Sequence, residues 1–547
     1  MHCRWNLLVA IVAGGLGLWL GFPNPYLQFP LLAMAYPAAL YFLGTATASW
    51  KLAFRLGWIC GLAGSSACLY WLSIPIHEVA GQSWLLAVPC PLLMAAYVGI
   101  YGGIFAAIAH KLCASGDNFV HRALVLGLVW YLLEVFRGWF ITGFPWLSLA
   151  TAFAPWPVWI QGASIIGAYG LSGVLAAFSC FCMACLTPTG QDTKSGPHFR
   201  LLLGGILCFL LFLGGSYGIQ QHRNIENRPE FGVPVALIQG NLDQNIKWNP
   251  TVQGLTVKRY LDLSKEALHF PEGDRPTLLI WPETCMPFNY ELDPVYPWQL
   301  REFARSEKIT ILFGTPGFRK NLDSSIDVFN RAWLISPMGK DSGFYEKEHL
   351  VPFGEYVPPF LDLSFLRPLL QGIGNFTPGE HTDPLPTPLA SSRTPSRSDG
   401  LAETDTACSL VQGLLICYEG IFPELAQKQV ALGATLLVNI SNDAWFGRSS
   451  APEQHLQQSV LRAVEQGRWL ARSTNTGISA LIAPDGTIPV RGHLFRDEVI
   501  AGTVALQQEF TPFHHLQPWL PWLGLVLLLL LLLPLFWKRL YTNKKHI

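Results

Sequence analysis

Leu278-Leu279-Ile280-Trp281-Pro282-Glu283-Thr284 decides how the second half of this chain reads. A short apolar run closed by a proline is the signature of a buried strand that stops at a defined point. A carboxylate follows directly on the strand's end. Outward from this stretch the same texture repeats. Short β-rich runs at 233–239, 277–281, 308–314, 329–336, 413–416, 435–440, 479–483 and 499–504 alternate with helical patterns near 251–268, 297–306, 420–431 and 454–470. Strands separated by helices predict a layered α/β domain. Residues 221–517 supply enough chain to bury a core of their own.

The first 220 residues read differently. The chain of 547 residues is 50% hydrophobic and only 14% charged, with a mean hydropathy of +0.30. A soluble domain carries roughly a quarter charged residues, so a purely soluble enzyme is excluded. The formal net charge of zero hides a division. Residues 1–220 hold 8 basic and 4 acidic side chains, residues 221–517 hold 25 and 33, and residues 518–547 hold 4 basic ones. A bilayer core needs about 20 mostly apolar residues per helix. Stretches of this kind lie at about 6–21, 29–48, 54–76, 84–109, 123–136, 158–186, 201–218 and 518–537. The prediction is therefore an α-helical membrane bundle of eight transmembrane helices, seven in 1–220 and the eighth in 518–547, with the α/β domain of 221–517 between them.

Orientation follows from the basic residues. With a cytoplasmic start, the inside segments hold Arg4, Lys51, Arg55, Lys111, Arg122, Lys194, Arg200, Lys538, Arg539, Lys544 and Lys545, and the short outside loops hold Arg137. Both termini are expected in the cytoplasm and 221–517 on the outer face. The first apolar stretch is read as a retained anchor and not a cleaved signal, because Gly21-Phe22-Pro23 offers no small-x-small cleavage site. No basic arm or patch accompanies either part, which excludes a nucleic-acid partner.

Nine of the 12 cysteines precede residue 220. Cys180, Cys182 and Cys185 cluster as a metal set would. On an apolar helix without nearby His or carboxylates, they read instead as small packing residues. The outer domain has Cys285, Cys408 and Cys417, an odd number, which leaves at least one thiol unpaired in an oxidising compartment. Residues 377–406, rich in Pro, Ser, Thr and Asp, cannot bury enough surface to order themselves and read as a flexible insertion. The apolar, proline-bearing stretch 358–373 before them reads either as a lipid-contacting lid or as an ordinary packed loop.

The chain lacks GxGxxG after a strand, GxxxxGK[ST], HExxH and GxSxG, so nucleotide, zinc-protease and serine-hydrolase chemistry lack their signatures. What remains is three segments: Trp281-Pro282-Glu283, Lys347 ahead of Leu350-Val351-Pro352-Phe353-Gly354-Glu355, and Ile416-Cys417-Tyr418-Glu419. A thiol at a strand-to-helix turn is expected near a helix N-terminus, which favours the thiolate. A carboxylate at another strand end can take its proton, and a lysine can steady the oxyanion formed at an attacked carbonyl. Together they make a set for acyl transfer through a thioester.

At these residues the chain resembles the nitrilase superfamily, whose signature is Glu–Lys–Cys. The 350–355 run, Asn439-Ile440-Ser441-Asn442-Asp443-Ala444-Trp445-Phe446-Gly447, Arg472-Ser473-Thr474-Asn475-Thr476-Gly477, and in the membrane part Phe144-Pro145-Trp146 and Gly167-Ala168-Tyr169-Gly170-Leu171-Ser172, resemble the apolipoprotein N-acyltransferase family more specifically. The resemblance implies an αββα sandwich on the periplasmic face of a bacterial inner membrane, with no metal or organic cofactor. It implies acyl transfer from a phospholipid to the N-terminal diacylglyceryl-cysteine of a lipoprotein. By motif, Glu283 is the general base, Lys347 the oxyanion stabiliser and Cys417 the nucleophile. Glu355, Tyr418 and Glu419 support them, the Tyr418 backbone N–H as a second oxyanion donor. Trp248 and Trp445 match aromatic positions near a substrate entrance, and read equally as core packing.

The 377–406 insertion departs from the family pattern and puts the alignment before Leu410 in doubt. Cys285 and Cys408 read either as a disulfide or as two thiols. Two other functions fit parts of the sequence. A membrane-tethered amidase or nitrilase would use the same three residues with water as second nucleophile, but eight spans exceed what tethering needs. A non-enzymatic transporter or lipid-binding scaffold would not need Glu283, Lys347 and Cys417 together, and Glu134 with Arg137, the main intramembrane charges, read as an i,i+3 pair at a helix end.

Overall fold

The computed structural model describes residues 2–113, 118–187, 198–226, 232–244, 247–269, 275–358, 374–387 and 409–544. By internal contacts the chain divides into two compact units. One comprises 1–222, 446–461 and 511–547, and the other 223–445 and 462–510.

The first unit is helical. Six helices among the described residues are long and apolar enough to cross a bilayer: Arg4–Gly21, Trp50–Val79, Trp84–Cys113, Phe119–Trp139, Ala163–Leu186 and Arg200–Arg223. The other two expected spans, 29–48 and 518–537, form shorter apolar helices, Pro30–Ala46 and Leu520–Pro534. The first of these opens with a tight turn at Pro30–Met34 before its regular helix. Small residues set the helix packing. A methyl group added at Gly61 would meet Gly99 Cα at 2.9 Å, so the helices carrying them approach at backbone distance, the way apolar helices associate where no hydrophobic drive separates them from lipid. Within the same unit the Gln454 side chain accepts from Trp146 Nε1 at 2.7 Å and Trp71 Nε1 at 3.1 Å, and donates to the Cys68 carbonyl at 3.1 Å. That ties 446–461 into the helical core.

The second unit is the expected layered α/β domain, a sandwich of two six-stranded sheets. Its strands are β1 (Val233–Gln239), β2 (Leu278–Ile280), β3 (Thr310–Lys320), β4 (Ile326–Ile335), β5 (Asp341–Glu346), β6 (Leu385–Thr387), β7 (Leu410–Ile416), β8 (Leu436–Ser441), β9 (Leu470–Thr474), β10 (Ala480–Ile482), β11 (Val490–Arg491) and β12 (Glu498–Val504). The orders are β12-β1-β2-β3-β4-β5 and β11-β10-β9-β8-β7-β6. Each sheet has a parallel centre, β1-β2-β3 and β7-β8-β9, with antiparallel flanks.

The period of two along each strand builds the layers. Val235, Leu237, Leu278 and Ile280 point between the sheets and pack with Leu414, Ile416, Val438 and Ile440. Their neighbours Ala236, Ile238, Leu279 and Trp281 point the other way, against Val257, Tyr260, Leu300 and Phe303 of helices Gln253–Leu268 and Tyr296–Glu307. Helix Pro423–Ala431 covers β7 and β8 on the far side. Central strands buried on both faces show no polar alternation.

Several expected elements differ. The helix expected at 454–470 ends at Gln466, and Leu470 opens β9, because a left-handed Gly467 breaks the helix there. Strands β5, β6, β9 and β11 are absent from the sequence reading. The flexible insertion is corrected at its start. Thr377 N donates to the Val328 carbonyl at 2.7 Å, Gly379 N to the Lys347 carbonyl at 2.8 Å, and β6 pairs antiparallel with β7. Backbone pairing, together with the burial of Leu385 in the core between the sheets, orders 377–387. Residues 388–406, Cys408, and residues 359–373 of the lid or loop lie outside the described residues. Cys285 is a buried free thiol whose Sγ donates to the Gly314 carbonyl.

Candidate active site

Three strand ends of the second unit carry the residues expected to act. Glu283 follows β2, Lys347 follows β5, and Cys417 follows β7. β2 and β7 run through the apolar interior, whereas β5 lies at the edge of its sheet and is buried only at Tyr345 and Glu346, just before Lys347.

Glu283 is 6% exposed and Lys347 1%. Lys347 Nζ stands 3.8 Å from Glu283 Oε1 and 2.8 Å from the Glu355 carboxylate. Asn330, on β4, donates through one Nδ2 to both acids, at 2.7 Å to Glu283 and 3.1 Å to Glu355. Glu355 accepts in addition from Val351 N at 2.8 Å, which folds the 350–355 run back over the lysine. The backbone fixes Lys347 as well, its N–H donating to the Asn330 carbonyl at 2.9 Å.

This packing sets the proton affinities. Burial pushes Glu283 above the ordinary carboxylate range; Lys347 opposes this and the negative Glu355 reinforces it. Burial acts to lower Lys347, but Glu355 and Glu283 outweigh it and hold the ammonium above its usual range, so it stays a cation. Cys417 feels Glu283, Lys347 and Asp443 electrostatically. The expected thiolate is corrected here. Cys417 opens a single tight turn, Cys417–Ile421, with a left-handed φ of 52°, and the regular helix begins only at Pro423. Burial and the charge on Glu283 push the thiol well above its ordinary value, and Lys347 only partly offsets them. The resting group is a thiol, and Glu283, a carboxylate of raised proton affinity, lies within its electrostatic reach.

Glu419 is fully buried and serves as a clamp. Its Oε1 accepts from Glu348 N at 2.8 Å and His349 N at 3.1 Å, and its Oε2 from Ile416 N at 2.7 Å and Tyr345 Oη at 3.1 Å. It thereby fastens the residues on either side of Lys347 and Cys417 to each other. Burial pushes it up to about 7. The Tyr418 ring packs on Phe422 and beside His349. Trp248 and Trp445 are partly exposed and hydrogen-bond to none of Glu283, Lys347 and Cys417 among the described residues.

Three parts of the site carry no assigned role in the sequence reading, which names Asn439, Asp443 and Arg472 only within its motifs. Asn330 is one: an amide inside an apolar strand, buried at 2% exposure, was the available signal. The second is the fully buried network of Arg472 with Asp443, at 2.8 Å, and Asn439, whose Nδ2 donates to the Leu415 carbonyl at 2.7 Å. The third is Lys247, whose Nζ donates to Thr284 Oγ1 at 2.6 Å. As a set, the site holds two carboxylates, a cation fixed between them and a thiol within their electrostatic reach. Among the described residues no His, Cys, Asp and Glu group forms a metal cage.

The carbon-nitrogen hydrolase family model matches residues 235–509, and the model of the apolipoprotein N-acyltransferase N-terminal domain matches 14–181. The apolipoprotein N-acyltransferase of Geobacter metallireducens is 36% identical over 92% of this chain and 90% of its own. That of Azotobacter vinelandii is 32% identical over 95% and 93%. Among solved structures, an amidase from Nesterenkonia sp. is 18% identical over 52% of this chain and 92% of its own, with a TM-score of 0.35, a likeness too loose to carry an argument. Two family models in tandem and relatives matched across nearly their whole length agree with the two units seen here, and the chain belongs to the apolipoprotein N-acyltransferase family.

Proposed function

We propose that this protein N-acylates lipoproteins, moving an acyl chain from a phospholipid through a thioester on Cys417 to the α-amino group of an N-terminal diacylglyceryl-cysteine. The observation that carries the reading is the buried arrangement of Glu283 and Lys347, 3.8 Å apart, with Cys417 within their electrostatic reach at the end of a neighbouring sheet.

In the first half-reaction the Cys417 thiol passes its proton to Glu283 as Sγ attacks the ester carbonyl. Lys347 stabilises the oxyanion of the tetrahedral intermediate, with the Tyr418 N–H as second donor. The carbon–oxygen bond breaks, the proton moves from Glu283 to the departing alkoxide, and a lysophospholipid leaves. In the second half the lipoprotein amine attacks the thioester and gives its proton to Glu283, which returns it to the Cys417 sulfur as the carbon–sulfur bond breaks. Glu355 holds Lys347 charged and aimed, and Glu419 clamps the two loops. Trp248 and Trp445 serve the substrate entrance.

The two shorter apolar helices complete eight spans in this reading, with both termini cytoplasmic and the catalytic domain on the periplasmic face of the inner membrane. The excess of basic residues in the inside segments supports that orientation. The test is mass spectrometry of purified protein given phospholipid. An acyl adduct on Cys417 that a diacylglyceryl peptide discharges is the expected result. A thioester that water discharges as readily as the peptide would make the protein a hydrolase instead.

A further inference from the structure

We infer that Lys247 is a positioning residue of this site, its buried ammonium holding the Glu283–Thr284 turn and keeping the Glu283 carboxylate ionised. The inference rests on the reading above only in naming Glu283 as the base.

A lysine is almost never fully buried unless paired. Lys247 is 2% exposed, yet its ammonium has no ion pair within 4.0 Å among the described residues. Its contacts are the 2.6 Å hydrogen bond to Thr284 Oγ1 and the face of Trp248, whose ring centre lies 5.6 Å from Nζ. Burying an ammonium without a counter-ion is costly, and its only direct contacts among the described residues are with a neutral hydroxyl and a ring face. The groups that respond to it electrostatically are Glu283 and Cys285.

The geometry shows what it holds. Thr284 sits at a left-handed φ of 45°, a strained conformation for a β-branched residue. On one side the turn is jammed against Gly314, where an added methyl would meet Thr284 N at 2.5 Å and both Glu283 Cα and the Pro282 carbonyl at 2.7 Å. The Lys247 hydrogen bond grips the turn by its side chain. The Glu283 carboxylate is thus aimed by a backbone that cannot relax, within a field set by Lys347, Glu355, Asn330 and Lys247. Lys247 and Lys347 both favour its ionised form, but only Lys347 is itself neutralised by a second carboxylate, Glu355. Burial lowers Lys247 to about 8, so its charge is present through the neutral range. Cys285, pushed up to about 12 by burial, adds no charge there.

The experiment measures Cys417 alkylation by iodoacetamide as a function of pH, on the full-length protein in detergent, with the Cys417 peptide quantified by mass spectrometry. No lipid substrate is needed, so the result is independent of whether the acyl-transfer reading holds. Removing a positive neighbour raises the proton affinity of the Glu283–Cys417 pair. In Lys247→Met the acid-side midpoint is expected to rise by about one pH unit, a roughly tenfold slower alkylation below it. Lys247→Arg, which keeps the charge, is expected to keep the midpoint. Should Lys247→Met not fold, Lys247→Gln carries the same expectation. A midpoint unchanged by loss of the charge, or shifted equally by Lys247→Arg, overturns the inference. A shifted midpoint in a protein that forms no acyl-thioester would sink the acyl-transfer reading and leave this one standing.

Discussion

Lys347 Nζ lies 3.8 Å from Glu283 but 2.8 Å from Glu355. The lysine is thus anchored by the acid that the proposed chemistry does not use and only leans on the one that it does. That asymmetry leaves Glu283 able to take and return a proton without breaking the tighter ion pair.

Replacing the anchor should therefore affect the reaction through geometry and charge together. Glu355→Gln removes the negative neighbour that raises Glu283 and frees Lys347 to close on it. The acid limb of Cys417 acylation should move to lower pH, and the rate at neutral pH should fall at least about tenfold, or 1.4 kcal/mol of barrier. A pH–rate profile of thioester formation checks this, and an unmoved limb would contradict it.

The proposed nucleophile and base give the most direct readout. Cys417→Ser should abolish the acyl adduct, since a hydroxyl of higher proton affinity replaces a thiol that is already held above its normal range. Glu283→Gln should slow adduct formation by roughly a hundredfold or more, the usual worth of a positioned base. Peptide acylation at the wild-type rate in either variant would rule out the corresponding role.

Glu419 couples the site to pH through stability. Its folded affinity is raised to about 7 by burial, against an ordinary value of 4.5. The folded protein then binds a proton that the unfolded chain has released, so this group's contribution is full below pH 4.5 and is lost as pH rises to 7. Glu419→Gln cannot ionise and should show a flatter melting temperature between pH 5 and 7 than wild type. Parallel melting curves for the two proteins would refute it.

Gly314→Ala tests the turn behind Glu283. All three atoms that the added methyl would meet belong to backbone and cannot swing aside. Overpacking of this kind costs roughly 1–3 kcal/mol, and the displacement falls on Glu283. Thioester formation should drop by more than melting temperature alone explains at 25 °C. Wild-type kinetics in a folded Gly314→Ala protein would show that the turn tolerates movement.

Much of this was legible in one dimension because the physical signals are local. Apolar length marks a helix that suits a bilayer. The runs ending at Trp281 and Ile416 are buried on both faces and announce parallel strands, and the residues after them, Glu283 and Cys417, inherit their place at the rim. Strands β5 and β6 were not legible: Asp341–Glu346 is half polar and Leu385–Thr387 is three residues long, and each is a strand because of the neighbour it pairs with.

The sequence by itself determined that a membrane part precedes an α/β domain, and that a carboxylate and a thiol stand near strand ends with a lysine between them along the chain. Only the tertiary structure decided their state. Asn330 bridges two acids that are 72 residues apart, Glu419 ties the loop after Lys347 to the turn at Cys417, and Lys247 reaches Thr284 across 37 positions. Proton affinity depends on burial and on charges a few ångströms away. Those distances exist only once the sheets have closed, which is why a cysteine that reads as a thiolate along the chain is held as a thiol in the fold.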